Sequence, residues 1–446
     1  MMPTVYFHID EVARDAVVAS ALKRKLTPLG VSLAYGNRVE STLLKRTDPF
    51  DLYIFPSIDL FKAYFPEIER LRTPVIILPS ESVGGLTSNT RRLAAKYFGS
   101  FPGEYRSWTE HIAAFCLWGP SHVKSFEEFG PHLLDKVHVV GHPRFDASCK
   151  GPKLQHGVKD KVRVGFISRF AGLNPFSRSS MLYSVYGGRR SYYSDGRVTP
   201  RFAVHADRDW EDYLYNEAVD LRLLFEAIQA LEKQDVELEL RVHPRENRNE
   251  WATCIARNHL PLKLAPWDIP FQHWVGSVDH VIGPTSTSFF DCFALGKRPI
   301  CTNALAPKRS EHVIAGGDDD NPILKFVHMP SSMEELVEAT KKKTPENTAA
   351  SYPEELLHIL EQEAGYPNCD NSLTRLARIC VSHLAIGPTG DKAVSRIMHR
   401  SLIQAANINQ VLRYGWRPGT EQSSSFLLTP SRKRWIDKLS RSVSAD

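Results

Sequence analysis

Apolar residues recur along this chain in short uninterrupted runs, each closed by Pro, Gly, Ser or a charge. In the first third the runs are TVYFHI, VSLAYG, DLYIFPS, TPVIILPSE, AAFCLWG and KVHVVGHPRFD. Runs of this length without clean alternation fit strands buried on both faces of a sheet. Between the first two lies a helical stretch, AVVASALKRKLTPLG, with Gly30 suited to a C-terminal cap. A second series begins after Lys161, with VRVGFISRF, VELELRVH, PLKLA, DHVIGP and KRPICTN as strands and NEWATCIARN and SFFDCFALG as helices. Segment 211–234 carries Leu221, Leu224, Phe225, Ile228 and Leu231 at helical spacing. Strands separated by helical patterns predict βαβ units and parallel sheets. Two series in tandem predict an α/β chain of two doubly wound, Rossmann-like domains facing across a cleft, at 1–150 and 151–390. Residues 391–446 form a mixed C-terminal extension with a basic tail, and the polar, arginine-rich stretch 171–208 reads as a long loop.

Composition narrows the class. The 446 residues suffice for two domains of about 100–200 residues each. Hydrophobic residues at 42% and charged residues at 24% exclude wholesale disorder. No apolar run reaches the roughly 18 residues of a membrane span, and MMPTVYFHIDEVARD lacks the basic-then-apolar pattern of a leader. The expected location is therefore the cytoplasm. Seven scattered cysteines without a CxxC argue against a disulfide framework or a zinc site. The net charge of +5 is small for this length, and no broad basic stripe suggests nucleic acid. Much of the excess lies in SRKRWIDKLSRSVSAD, a solvated tail or a peripheral contact with the inner membrane surface. Asp318–Asp320 read as a solvated run, so no metal is expected.

In open parallel sheets, ligands bind beyond the carboxyl ends of the strands, which directs attention to three places. Arg241, His243, Arg245 and Glu246 follow strand VELELRVH, with Pro244 constraining His243 at the sheet edge. A histidine among arginines suits a phosphate, although a strand-ending turn with surface arginines would look the same. Thr285, Ser286, Thr287 and Ser288 lie between strand DHVIGP and helix SFFDCFALG. One hydroxyl can cap a helix, but four exceed what a cap requires and suggest an anion site. Asp291, one turn later, is placed to reach a ribose hydroxyl or to complement the helix dipole. In the first domain, Asp10, Glu11 and Arg14 follow the first strand, and Glu81 sits beside a glycine pair in LPSESVGG. Each carboxylate is a candidate base or nucleophile, or a solvated or capping group. VVGHPRFD closes the first domain, mainly as a turn feeding the interdomain linker.

His243-Pro244 followed by GPTSTSFFDCFALGKRPI resembles the donor half of GT-B glycosyltransferases that use cytidine-linked donors. Bacterial sialyl- and Kdo-transferases pair an His-Pro motif with a Ser/Thr motif, and teichoic-acid polyol-phosphate polymerases carry a similar pair. LPSESVGG, LWGPSHVKSFEEFG and VVGHPRFD in the first half resemble bacterial surface-carbohydrate proteins of capsule and O-antigen synthesis. The Gly-His-Pro turn is also similar to that of lipid A disaccharide synthase. The resemblance spans about residues 3–340. It implies a metal-independent GT-B transferase without a cofactor, moving a sugar from a nucleotide-sugar donor, CMP-linked by analogy, to a glycan or glycolipid acceptor. It implies that His243 and the Thr285–Ser288 hydroxyls hold the donor phosphate, with Arg241 and Arg245 adding charge. Asp291 and Glu246 would serve the ribose and base, and Glu81 would be the first choice of base, ahead of Asp10 and Glu11. The acidic-acidic-Gly motif of sialyltransferases is missing from the first domain. A non-hydrolysing sugar-nucleotide epimerase, a CDP-polyol phosphotransferase and an inactive glycan-binding partner fit the same pattern.

Overall fold

A computed structural model describes residues 2–10, 12–37, 41, 44, 49–65, 73–79, 108–146, 149, 161–174, 206–244, 246–267, 269–306, 322–341, 351–367, 371–384, 395, 397–398 and 401–402. The chain divides into two compact units, Met1–Pro152 with Leu360–Asp446, and Lys153–Ile359. Strands form at all eleven predicted places. They are β1 Thr4–His8, β2 Ser32–Gly36, β3 Leu52–Phe55, β4 Val75–Ile77, β5 Ile112–Leu117, β6 Val137–Val139, β7 Val162–Ile167, β8 Val236–Arg241, β9 Leu262–Leu264, β10 His280–Gly283 and β11 Ile300–Cys301. The helices are α1 Val12–Leu26, α2 Ile58–Tyr64, α3 Val123–Phe129, α4 Ala206–Glu232, α5 Arg248–Arg257, α6 Phe271–Ser277, α7 Ser288–Ala294, α8 Met333–Thr340, α9 Glu354–Ala364 and α10 Ser372–Ser382. Helix α4 starts five residues before the predicted 211.

The first unit holds a six-stranded sheet in the order β2-β1-β3-β4-β5-β6, parallel throughout. Its apolar runs conceal a period of two. Val5, Phe7, Leu52, Ile54, Ile76, Ala114 and Cys116 join one core, under α1. Tyr6, Tyr53, Phe55, Val75, Ile77, Phe115 and Leu117 join the other, with Phe61, Phe65 and Trp108. Successive side chains leave a strand on opposite faces, so alternate residues enter two different cores, the second richer in aromatic rings. The aromatic side is bulkier and is filled by tilted and edge-on rings, such as Phe61 against Trp108 at 5.5 Å. Across α1, small buried residues (Ala16, Ala19, Ala21) leave room for a second helix. Leu373, Leu376, Ala377 and Cys380 of α10 fill it. Residues from 360 onward therefore belong with the first unit, although the pattern suggested the second as far as 390. Gly119 lets the α9 backbone at Gln362 approach the end of β5 so closely that any Cβ would overlap the carbonyl.

The second unit holds a five-stranded parallel sheet in the order β11-β10-β7-β8-β9. Val164 and Phe166 of β7 face one core with Leu238, Leu240 and Ile228. Ile167 faces the other, with Trp274, Val275, Val278 and Val281. Gly165 shares that second face, and a Cβ there would meet the Trp274 ring at 2.6 Å. Burial pushes the Cys116 and Cys292 thiols well up, as expected of cysteines acting as small hydrophobes. No described helix is long and apolar enough to cross a membrane.

The Gly165 contact is testable. Trp274 is 1% exposed and cannot swing away. Gly165→Ala should lose about 1–3 kcal/mol by overpacking, read by urea denaturation. Unchanged stability would mean that the ring does not press on β7.

Candidate functional site

The strand order of the second unit defines where a ligand can sit. From β7 the chain moves to β8 and β9 on one side, then returns to β10 and β11 on the other. The switch point lies between β7 and β10, beyond their carboxyl ends, where outgoing connections diverge and leave a crevice. Ser168 and Arg169 follow β7, and Thr285–Ser288 follow β10. An Arg169 Nη1 donates to the Thr285 carbonyl at 2.6 Å and so bridges the two strand ends. The side chain of Thr285 is buried. Its backbone N–H donates to Asn303 Oδ1 at 3.2 Å, and the Asn303 amide donates to its hydroxyl.

The next three residues of the hydroxyl run are half-buried. Ser286 Oγ accepts the Ser288 N–H at 3.2 Å, while the carbonyls of Ser286 and Thr287 accept from Phe289 and Phe290. The first amides of α7 are thus largely satisfied internally. The free groups at this end are hydroxyls. Thr287 makes no capping bond, and neither its hydroxyl nor that of Ser288 bonds to another described residue. The expected anion site therefore reduces from an array of helix amides to two hydroxyls beside Arg169.

His243 stands half-buried at the end of β8, one strand from the switch point. Its backbone N–H donates to Ser168 Oγ at 2.7 Å. Behind Ser168 lies Glu246, fully buried. Glu246 accepts the Phe170 N–H at 2.8 Å and Trp251 Nε1–H at 2.7 Å, and its carboxyl also meets Ser168. Burial pushes that carboxyl up to about 7, opposed by these hydrogen bonds. Next to it, Glu217 accepts the Gly172 and Leu173 N–H groups at 2.9 Å, anchoring the chain leaving β7.

Several expected ligands prove to be interior struts. Glu246 faces the fold and not the crevice, because a carboxylate is what satisfies the buried donors there. Arg241 is buried and donates to the carbonyls of Pro266 and Ile269 at 2.7 and 2.6 Å, tying the loop after β9 to the sheet. Asp291 is also fully buried and accepts from Gln272 Nε2 at 2.9 Å, linking α7 to α6. All three are buried and engaged by neighbouring elements of the second unit. Glu11, Glu81 and Arg245 lie outside the described residues. The structure thus brings His243 and the Ser286–Ser288 run to one sheet edge. It adds Ser168, Arg169 and Asn303. Ser168 and Arg169 lie near the end of the predicted run VRVGFISRF and Asn303 closes KRPICTN, so the sequence placed all three at strand ends without singling them out.

In the first unit, Asp10 and Arg14 form an ion cluster after β1. Arg14 Nε contacts Asp15 Oδ1 at 2.7 Å, and its Nη2 contacts Asp10 Oδ2 at 3.3 Å. Asp15 is buried and also accepts the Asp10 N–H at 3.0 Å. His8, at the end of β1, contacts Ser41 Oγ through Nδ1 at 2.7 Å. In the turn after β6, Asp146 accepts the Leu373 N–H at 2.7 Å and thereby docks α10. No described group of His, Cys, Asp and Glu could hold a metal ion.

No protein-family model matches the chain, and no curated protein matches its sequence. Its fold is nevertheless shared with solved structures. A variant of the wall teichoic acid polymerase TagF is similar at a TM-score of 0.50 and 11% identity, covering 86% of this chain and 89% of that one. The UDP-GlcNAc 2-epimerase of Methanocaldococcus jannaschii, in complex with UDP-GlcNAc and UDP, gives 0.44 at 11% identity, covering 86% and 100%. HepE of Anabaena, in complex with UDP and glucose, gives 0.38 at 12% identity, covering 86% and 99%. The likeness to the polymerase shows a common α/β fold with two parallel sheets, as expected for a chain of the GT-B kind.

Proposed function

We propose that this chain is a GT-B-type transferase that takes a sugar from a nucleotide-activated donor, with a cytidine-linked donor favoured. Its acceptor would be a surface polysaccharide or a glycolipid, met in the cytoplasm or at the inner membrane surface. The observation that carries this reading is the switch-point crevice of the second unit, where Arg169 bridges to Thr285 beside the Thr287 and Ser288 hydroxyls. Glycosyl transfer builds negative charge on the leaving phosphate, and prearranged donors aimed at that charge lower the barrier. A permanent guanidinium, two hydroxyls and the neighbouring His243 supply such donors without a metal. TagF was solved with CDPG in one of its structures, which agrees with a cytidine-linked donor. On the acceptor side, Asp10 shares its carboxylate with Arg14. Glu81, beside its glycine pair, is the first candidate for acceptor activation, ahead of Asp10 and Glu11.

The nucleotide site is tested by thermal denaturation with CMP, CDP, UDP, GDP, ADP and dTDP. A nucleotide at about 100 times its dissociation constant should add about 2.7 kcal/mol of stability. The expected result is a shift with cytidine nucleotides. It should weaken about 2- to 10-fold in affinity in Thr287→Val, which removes one hydroxyl at nearly constant volume. His243→Ala should weaken it further. If no nucleotide shifts the wild type, or if the variants bind as well as it does, the reading fails. With a donor identified, incubation without acceptor separates a transferase from an epimerase, which would interconvert the sugar nucleotide alone.

The support behind His243 makes a second prediction. The folded Glu246 carboxyl, at about 7, binds its proton more tightly than the ordinary value of 4.5 implies. The contribution of this group to stability therefore falls as pH rises from about 4.5 to about 7, by roughly 3 kcal/mol, and is level above that. Glu246→Gln should be flatter across this window, and less stable at its acid end because its amide nitrogen opposes Trp251 Nε1–H or the Phe170 N–H. Urea denaturation of both proteins at about pH 5 and about pH 8 reads the difference. Equal slopes in the two proteins would show that Glu246 does not titrate there.

A further inference from the structure

His142 follows β6 in the first unit and is 3% exposed. Its ring lies against Trp118 with centroids at 3.8 Å and against Phe145 at 4.4 Å. Burial, then the charges of Arg144, Arg14 and His122, hold this imidazole well below its usual range, so it is neutral. A neutral imidazole carries one N–H donor and one acceptor nitrogen.

Both nitrogens of His142 nevertheless face donors from the same residue. The Arg144 backbone N–H points at Nδ1 from 3.1 Å. The Arg144 guanidinium meets Nε2 through Nε at 3.4 Å and Nη2 at 3.2 Å. The backbone contact is fixed by the tight turn Pro143–Phe145, in which His142 is the capping residue. Nδ1 is therefore the acceptor, and the proton belongs on Nε2. That N–H then faces a guanidinium, which has no lone pair to offer. Among the described residues the His142 ring nitrogens have no partner besides Arg144. A buried N–H that faces only donors is costly, and an acceptor reaching it would relieve that cost.

The place where these donors converge is a small recess at the carboxyl ends of β1, β3, β4 and β5, lined by His8, Asp15, Pro79, Trp118, His142 and Arg144. Asp15 is the one carboxylate on its wall among the described residues, and Arg14 pairs with it at 2.7 Å. We propose that this recess binds an oxyanion, a phosphate or carboxylate oxygen accepting from His142 Nε2–H and from the Arg144 guanidinium together. The bound oxygen replaces the donor-against-donor contact with two charge-favoured hydrogen bonds. Trp118 supplies an apolar wall that limits the ligand to a small or flat group. The site stands on the first unit alone and is independent of the nucleotide reading of the second.

The test is a titration of the full-length chain, labelled with nitrogen-15 in its histidines, with inorganic phosphate and, separately, with acetate. Arg144→Gln keeps the backbone N–H on Nδ1 and removes the guanidinium. A spectrum of His142→Gln identifies the His142 signal, and circular dichroism confirms that each variant is folded. Should His142→Gln fail to fold, His142→Asn makes the identification instead. Thr287→Val serves as a control for phosphate binding in the second unit. The expected result is a saturable movement of the His142 Nε2 signal with one of the two anions, weakened at least tenfold in Arg144→Gln and unchanged in Thr287→Val. Phosphate or acetate as the effective probe tells which kind of oxyanion the recess takes. A His142 signal that neither anion moves, or that moves equally in Arg144→Gln, overturns the proposal.

Discussion

A carboxylate without solvent organises the carboxyl edge of the second sheet. Glu246 receives the Phe170 N–H on one oxygen and the Trp251 indole on the other, and Ser168 stands between it and His243. Phe170 belongs to the chain leaving β7, and His243 to the chain leaving β8, so one side chain sets the spacing of two adjacent strand ends. Arg169 then carries that spacing across to β10 by its bond to the Thr285 carbonyl. A buried ionisable group is costly to maintain, and here it is retained where three connections must hold their relative positions. Glu217 repeats the device a few residues on, gripping the amides of Gly172 and Leu173.

The first unit reaches similar precision by packing. Its strand runs are apolar throughout, yet odd and even positions go to chemically different faces. The face under α1 and α10 is mostly aliphatic and small, and the face toward α2 carries most of the aromatic rings. Small residues on α1 permit the close approach of α10, and Asp146 fixes where α10 begins through the Leu373 N–H. The turn that ends β6 therefore has two roles. It docks a distant part of the chain, and it presents His142 and Arg144 to the recess beyond the strand ends. The same short motif had read as a linker turn, because a linear pattern does not show what packs against a turn.

Both sheets obey one topological rule: a strand with neighbours reached in opposite directions opens a crevice at its carboxyl end. In the second unit that rule selects the Ser168–Arg169 pair and the hydroxyl run. The run itself divides by burial. Thr285 is held inside by Asn303, while Thr287 and Ser288 keep their hydroxyls available. Four adjacent residues of one chemical type thus serve two purposes, separated by the turn from strand to helix.

The order of the strands along the chain, the helix α5 between β8 and β9, and the doubly wound character of each sheet were determined by the sequence alone. The physical reason is local. Apolar runs of strand length ended by Pro, Gly or Ser leave few alternatives, and spacing decides helix from strand. His243 and the hydroxyl run could likewise be placed at strand ends by counting. Only the tertiary structure decided which charged residues near those ends face outward. Arg241, Glu246 and Asp291 read as ligands in the sequence, yet each engages a partner brought from 19 or more residues away. It also decided that α10 belongs to the first unit, since the cover for α1 comes from more than 300 residues downstream. Burial depends on what lies across the sheet, and a linear pattern holds no record of that.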